Sequence, residues 1–125
     1  MTISDDIYNF FNDKVDGIAV SSKTMNKYYA IMLSSESCHY CFNIKEKVER
    51  NNYTDFIKII DIDKLLDSNF KFVKEKVADN KNLNDIIRFI ESIRKVPFFI
   101  WKDKNGINFA GNYSFDKILR QINNR

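Results

Sequence analysis

The chain's two cysteines stand at Cys38 and Cys41, and its single histidine, His39, lies between them beside Tyr40. Two thiols at this spacing can close a disulfide across one helical turn, supply half of a metal site, or be a coincidence of composition. Redox work needs an exposed thiol with a depressed pKa to attack, and a second thiol to resolve the mixed disulfide. A tetrahedral metal site needs about four ligands, and the chain offers at most Cys38, Cys41 and His39. His39, adjacent to a ligand, is poorly placed to close a tetrahedron, so a zinc ion or a bridged iron–sulfur cluster would require a second chain. The expectation is that no metal is bound.

What surrounds the pair decides between these readings. "YYAIMLSS" (28–35) is an apolar run of strand length ending in small polar residues, as a buried central strand does. Ser34, Ser35, Glu36 and Ser37 offer caps for a helix starting close to Cys38 and running through Phe42, Ile44 and Val48 to "RNN" at 50–52. That places Cys38 at a helix N-terminus, where unpaired N–H groups and the helix dipole favour a thiolate, lowering its pKa from about 8.5 toward ~4–7. Cys41, one turn further in and more buried, is expected to be the resolving thiol. A charged His39 would favour the Cys38 thiolate further, making the disulfide more oxidising.

The remaining elements alternate. Ile3, Ile7, Phe10, Phe11 and Val15 form a helical stripe, "GIAVSS" (17–22) a short strand, and "FIKIIDID" (56–63) the strand after the cysteine helix. Leu65, Leu66, Phe70, Phe72, Val73 and Val77 predict one helical segment, and Leu83, Ile86, Ile87, Phe89, Ile90 and Ile93 a second. "VPFFIWKD" (96–103) is a strand opening on Pro97, the Asn-Gly of "KDKNG" a hairpin turn, and "INFAG" (107–111) its return. "SFDKILRQI" (114–122) closes with an amphipathic helix. The order predicts one α/β domain over residues 1–125, its sheet parallel in part with an antiparallel closing hairpin and helices on both faces.

Composition supports a packed domain: 44% of the 125 residues are hydrophobic and 14% aromatic, which argues against disorder. Twenty basic and seventeen acidic side chains are spread along the length without a dense Lys/Arg run, so neither nucleic acid nor a membrane surface is an expected partner. The N-terminal "MTISDDIYNFFNDK" is acidic and lacks an apolar h-region, and no stretch approaches the ~18 apolar residues of a spanning helix. The expected location is therefore the cytoplasm. The Asn-, Lys- and Ile-rich usage fits an AT-rich genome; for a large DNA virus the location would be host cytoplasm or virion. In a reducing compartment, CxxC points to catalysis or metal rather than to a structural staple.

Several of these elements, in this order, resemble the thioredoxin-like superfamily. "SIRKVPFFIWKDKNGINFAGNYSFDKILRQI" looks like the C-terminal half of a thioredoxin, and "IMLSSESCHYC…IKEKVERNN" followed by "FIKIIDID" looks like its strand–active-site–helix–strand core. The resemblance covers most of residues 28–125. It implies a central mixed sheet of four to five strands flanked by helices, with an extra helical insertion at about 64–85 before the proline strand. It implies that Pro97 is a cis-proline packed against the disulfide, and that the Val96 backbone pairs with an incoming peptide or glutathione. Thioredoxins proper carry Trp before the first cysteine and Gly-Pro within the pair, where this chain has Ser37 and His39-Tyr40. They also bury an Asp beneath the site, where this chain offers Met32. Tyr40 echoes glutaredoxin sites, whose glycine pair is half matched by Gly111 and Asn112, with Ser114 or Asp116 as the following cap.

The expected function is thus thiol–disulfide exchange on protein cysteines, with Cys38 and Cys41 catalytic, His39 and Tyr40 modulating, and Val96 and Pro97 binding substrate. No cofactor is expected beyond glutathione as one candidate reductant, the other being a reductase. The molecule is expected to be a monomer or weak dimer. The alternatives are a thioredoxin-like binding or structural protein with little turnover, and a glutathione-dependent, glutaredoxin-like enzyme.

Overall fold

Strand β1 (Ala30–Ser34) is buried along its whole length, and its alternation explains the layering on either side. Ala30 and Met32 point into one apolar cluster, Ile31 and Leu33 into another. A computed structural model describes residues 3–14, 28–73, 83–93, 95–103, 105–111 and 115–123. Around β1 it arranges helix α1 (Ile3–Asn9), α2 (His39–Arg50), strand β2 (Ile57–Asp61), α3 (Leu83–Ser92), β3 (Phe98–Asp103), β4 (Gly106–Gly111) and α4 (Phe115–Asn123). The strand predicted at 17–22 lies outside the described residues.

The sheet order is β2-β1-β3-β4. β2 runs parallel to β1, with Ser34 opposite Asp61, and the cysteine helix α2 supplies the crossover that a parallel pair requires. β3 is antiparallel to β1, with Leu33 opposite Phe98, and β4 is antiparallel to β3. The hairpin turns at the expected Asn-Gly. Gly106 takes φ +124°, the Asn105 N–H donates to Asp103 Oδ1 at 2.8 Å, and the Asn108 amide donates to Asp103 Oδ2 at 2.9 Å. This mixed four-stranded sheet with flanking helices is consistent with a thioredoxin-like arrangement.

One face of the sheet is covered by α1 and α3, through Ile7, Phe10, Phe11, Ile86 and Ile90 packed on Ile31, Leu33, Ile60 and Ile100. The other is covered by α2 and α4, through Cys41, Ile44, Val48, Phe115 and Ile118 packed on Met32, Ile57, Phe99 and Trp101. The expected apolar stripe is buried at Ile7 in α1 and at Phe10 and Phe11 directly after it, and Val15 lies outside the described residues. The continuation of the helix, however, widens into a π-helical turn at Phe10–Lys14, and Tyr8 is buried as well. Tyr8 tolerates burial because its hydroxyl donates to the Tyr28 carbonyl. Phe99 has no exposed surface and anchors the α2/α4 face. Phe99→Ala should cost about 3–5 kcal/mol, read as a lowered denaturation midpoint with an unchanged slope.

Residues 65–73 depart from the helix their spacing predicts. After a 3₁₀ turn (Ile62–Lys64), the chain doubles back so that Leu66 bridges Phe72. The cause is local: the Asp67 carboxylate accepts N–H bonds from Asn69 at 2.8 Å and Lys71 at 2.9 Å. Its own N–H donates to the Lys71 carbonyl at 2.7 Å. A side chain that satisfies the backbone in a turn competes directly with the helical ladder, and "DSN" is turn-forming composition. The rest of the predicted insertion up to residue 82 lies outside the described residues, and positions 83–85 open α3. Among the described residues no helix is long and apolar enough to cross a membrane.

Candidate active site

Beyond Ser34 the chain leaves the sheet through Ser35–Ser37 and turns into α2 at Cys38. The cap of this helix is Cys38 itself rather than one of the preceding serines. Its backbone is extended (φ −99°, ψ 104°), and its Sγ accepts the Cys41 N–H at 3.1 Å, satisfying one of the otherwise orphaned donors of the first turn. The Phe42 N–H donates to the Cys38 carbonyl at 3.1 Å and begins the helical ladder. One turn in, Cys41 has no exposed surface, whereas Cys38 is only partly buried. The two are joined as a disulfide with Cα atoms 5.2 Å apart.

The antiparallel pairing of β1 with β3 brings the residues just before Phe98 to this same end of the sheet. The Val96–Pro97 peptide bond is cis, as the resemblance implies. The Val96 carbonyl oxygen lies 3.7 Å from Cys38 Sγ, across 58 residues of sequence. Val96 is half-buried and packs against both apolar clusters, and Pro97 is buried. Cys38, Cys41 and Val96 are therefore brought together from two distant segments, with Pro97 bonded directly to the third of them. His39 and Tyr40 open α2 on its solvent side; Tyr40 is 52% exposed and His39 is exposed too. Of the glutaredoxin-like positions, Asn112 and Ser114 lie outside the described residues, and Asp116 is an exposed residue of the first turn of α4.

Met32 is fully buried in the cluster that holds Cys41. Asn12, Ser34 and Lys58 are buried polar side chains, none of them a carboxylate, and the cluster that holds Cys41 contains no acid. Nor, among the described residues, do three or more His, Cys, Asp or Glu side chains converge to hold a metal ion. Comparison with family models, with curated proteins and with solved structures returns no match.

Asp63 is bonded to the loop that precedes Cys38, although the motif does not announce it. Its Oδ2 accepts the Ser35 hydroxyl at 2.8 Å and the Glu36 N–H at 3.1 Å. The signal that points to it is topological: parallel pairing with Ser34 opposite Asp61 carries the residues after β2 past those after β1.

Proposed function

We propose that this chain is a thiol–disulfide oxidoreductase of thioredoxin-like fold that acts on protein cysteines through a reversible Cys38–Cys41 disulfide. One observation carries the reading. Cys38 caps α2 with its sulfur on the Cys41 N–H and sits beside the carbonyl of Val96, the residue before a cis-proline. In the reduced state the helix N-terminus and that N–H stabilise a Cys38 thiolate, while apolar burial keeps Cys41 as a thiol. The partly exposed Cys38 thiolate attacks one sulfur of a substrate disulfide. A Cys38–substrate bond forms, the substrate S–S bond breaks, and the released thiolate takes up a proton. Cys41 then loses its proton and attacks Cys38 Sγ, closing the intramolecular disulfide and releasing the second substrate thiol. Two electrons pass from the cysteine pair to the substrate, so no further cofactor is needed. An external dithiol, glutathione or a reductase restores the reduced pair. Val96, at the lip, offers its backbone to the incoming chain.

The test is a redox titration with thiol trapping, joined to the pH dependence of Cys38 alkylation. A depressed thiol pKa means that the thiolate persists at lower pH. The alkylation rate should therefore reach its plateau near neutrality, with a midpoint at least about one pH unit below the ~8.5 of a free cysteine. A midpoint at the free-thiol value, with no reversible Cys38–Cys41 couple, would sink the proposal.

A further inference from the structure

The three residues that deliver the chain from β1 to Cys38 belong to neither a strand nor a helix. What holds them is a small network centred on Asp63. The 3₁₀ turn after β2 is fixed by the Asp61 carboxylate, whose Oδ1 accepts the Asp63 N–H at 2.9 Å. Asp63 Oδ2 in turn accepts the Ser35 hydroxyl at 2.8 Å and the Glu36 N–H at 3.1 Å, contacts that span 28 and 27 residues of sequence. Ser35 passes the restraint on. Its Oγ lies 3.1 Å from Ser37 Oγ and accepts the Ser37 N–H at 3.4 Å, and its carbonyl accepts the Cys38 N–H at 3.1 Å. A continuous path thus runs from the end of β2 to the backbone of the capping cysteine.

This matters for the chemistry because the cap is conformational. The Cys41 N–H reaches Cys38 Sγ at 3.1 Å while Cys38 holds its extended φ and ψ. Loosening the preceding loop would let Cys38 leave that conformation and take its sulfur off the donor. We infer that Asp63 is a positioning residue: through Ser35 and Glu36 its carboxylate fixes the loop that holds Cys38 Sγ on the first turn of α2. The inference rests on the oxidoreductase reading of Cys38 and Cys41. Asp63 touches neither sulfur; it acts through Ser35 and the backbone. Both contacts converge on a single oxygen, so an amide in the same place can accept them, and the geometry does not require the negative charge.

The variants Asp63→Ala, Asp63→Asn and Ser35→Ala test this in the full chain, with circular dichroism and thermal melting to establish that each is folded. In Asp63→Ala the midpoint of Cys38 alkylation should rise by about half a pH unit, and attack on a protein disulfide should slow about fivefold. Because the reduced thiolate is then less stabilised, the Cys38–Cys41 potential should become more negative. Asp63→Asn should restore most of the midpoint, rate and potential. Ser35→Ala should move them in the same direction as Asp63→Ala, and the double variant should fall short of the sum of the two. A folded Asp63→Ala with wild-type midpoint and potential overturns the inference, as does an Asp63→Asn as impaired as Asp63→Ala. If Asp63→Ala does not fold, a folded Ser35→Ala with wild-type values overturns it equally. Failure of the underlying reading is separately visible: the wild-type Cys38 itself then reacts as a free thiol.

Discussion

Cys41→Ser is expected to arrest the reaction at the mixed disulfide, with the substrate covalently held on Cys38. The reason lies in the division of labour between the two sulfurs. Cys38 is partly exposed and capped onto α2, whereas Cys41 is completely buried one turn further in. With Cα atoms 5.2 Å apart, the second thiol is held beside the first, so its attack is intramolecular and needs no encounter. Removing it leaves release to external thiols, which should lengthen the life of the adduct by at least about 10³-fold. A serine hydroxyl inside the apolar cluster around Cys41 costs stability of its own, about 1–3 kcal/mol. Cys41→Ala is therefore the companion variant and should trap the same adduct. Cys38→Ser should form no adduct and show no turnover, because the remaining thiol has no access to a substrate. Non-reducing electrophoresis with mass analysis of the adduct reads all three. Turnover surviving in Cys38→Ser, or an adduct that resolves at the wild-type rate in Cys41→Ser, would overturn the assignment of roles.

Much of this site could be read before any fold was known, because the signals that place it are local and periodic. The apolar run before Ser34, the helical spacing after Cys41 and the Asn-Gly hairpin each depend on residues a few positions apart. They predict β1, α2, β3 and β4 to within a residue or two of where these elements lie. Two kinds of feature escaped. The first is competition by a side chain: Leu65, Leu66, Phe72 and Val73 have helical spacing, but Asp67 ties up the N–H groups of Asn69 and Lys71 in a turn. Leu65, Leu66, Phe72 and Val73 are still partly or fully buried there, while Phe70 is 60% exposed, which shows why spacing alone misleads: Leu66 and Phe72 pack on the same cluster as Leu65 across a turn instead of along a helix. The second is long-range polar contact. Nothing near "SSESCHYC" points to Asp63, because the link exists only once β2 is laid parallel to β1 in a particular register. The nearness of Val96 to Cys38 is equally long-range, and it was reached through the resemblance rather than through any pattern around the cysteines.

Residue 32, in the apolar cluster that holds Cys41, supplies the second large expected effect. Met32 is fully buried on β1 in the cluster shared by Cys41, Ile44, Phe99 and Phe115, and that cluster contains no carboxylate to accept the Cys41 proton. Met32→Asp places one there. Without a partner in apolar surroundings, that carboxyl group should destabilise the fold by about 3–5 kcal/mol at pH 7.5. Burial raises its folded pKa above the unfolded value of about 3.9, so between the two values the native state holds a proton that the unfolded chain has lost. Stability relative to wild type must then fall as pH rises through that window, and recover as pH is lowered from 7.5 toward 5. Met32→Leu, which keeps volume and removes only the thioether, should cost less than about 1.5 kcal/mol and show no such pH dependence. Denaturant titrations at the two pH values measure both. The same carboxylate, where it ionises, gives Cys41 a proton acceptor inside the cluster. Release of the mixed disulfide in Met32→Asp should therefore quicken by about tenfold relative to wild type, and increasingly so at higher pH. A variant as stable as wild type at pH 7.5 would place residue 32 outside the core. A destabilised variant with unchanged release would mean that deprotonation of Cys41 does not limit the step. Quickened release in Met32→Asp would identify deprotonation of Cys41 inside this apolar cluster as the slow step of the proposed reaction, with a correspondingly long-lived covalent complex in the wild type.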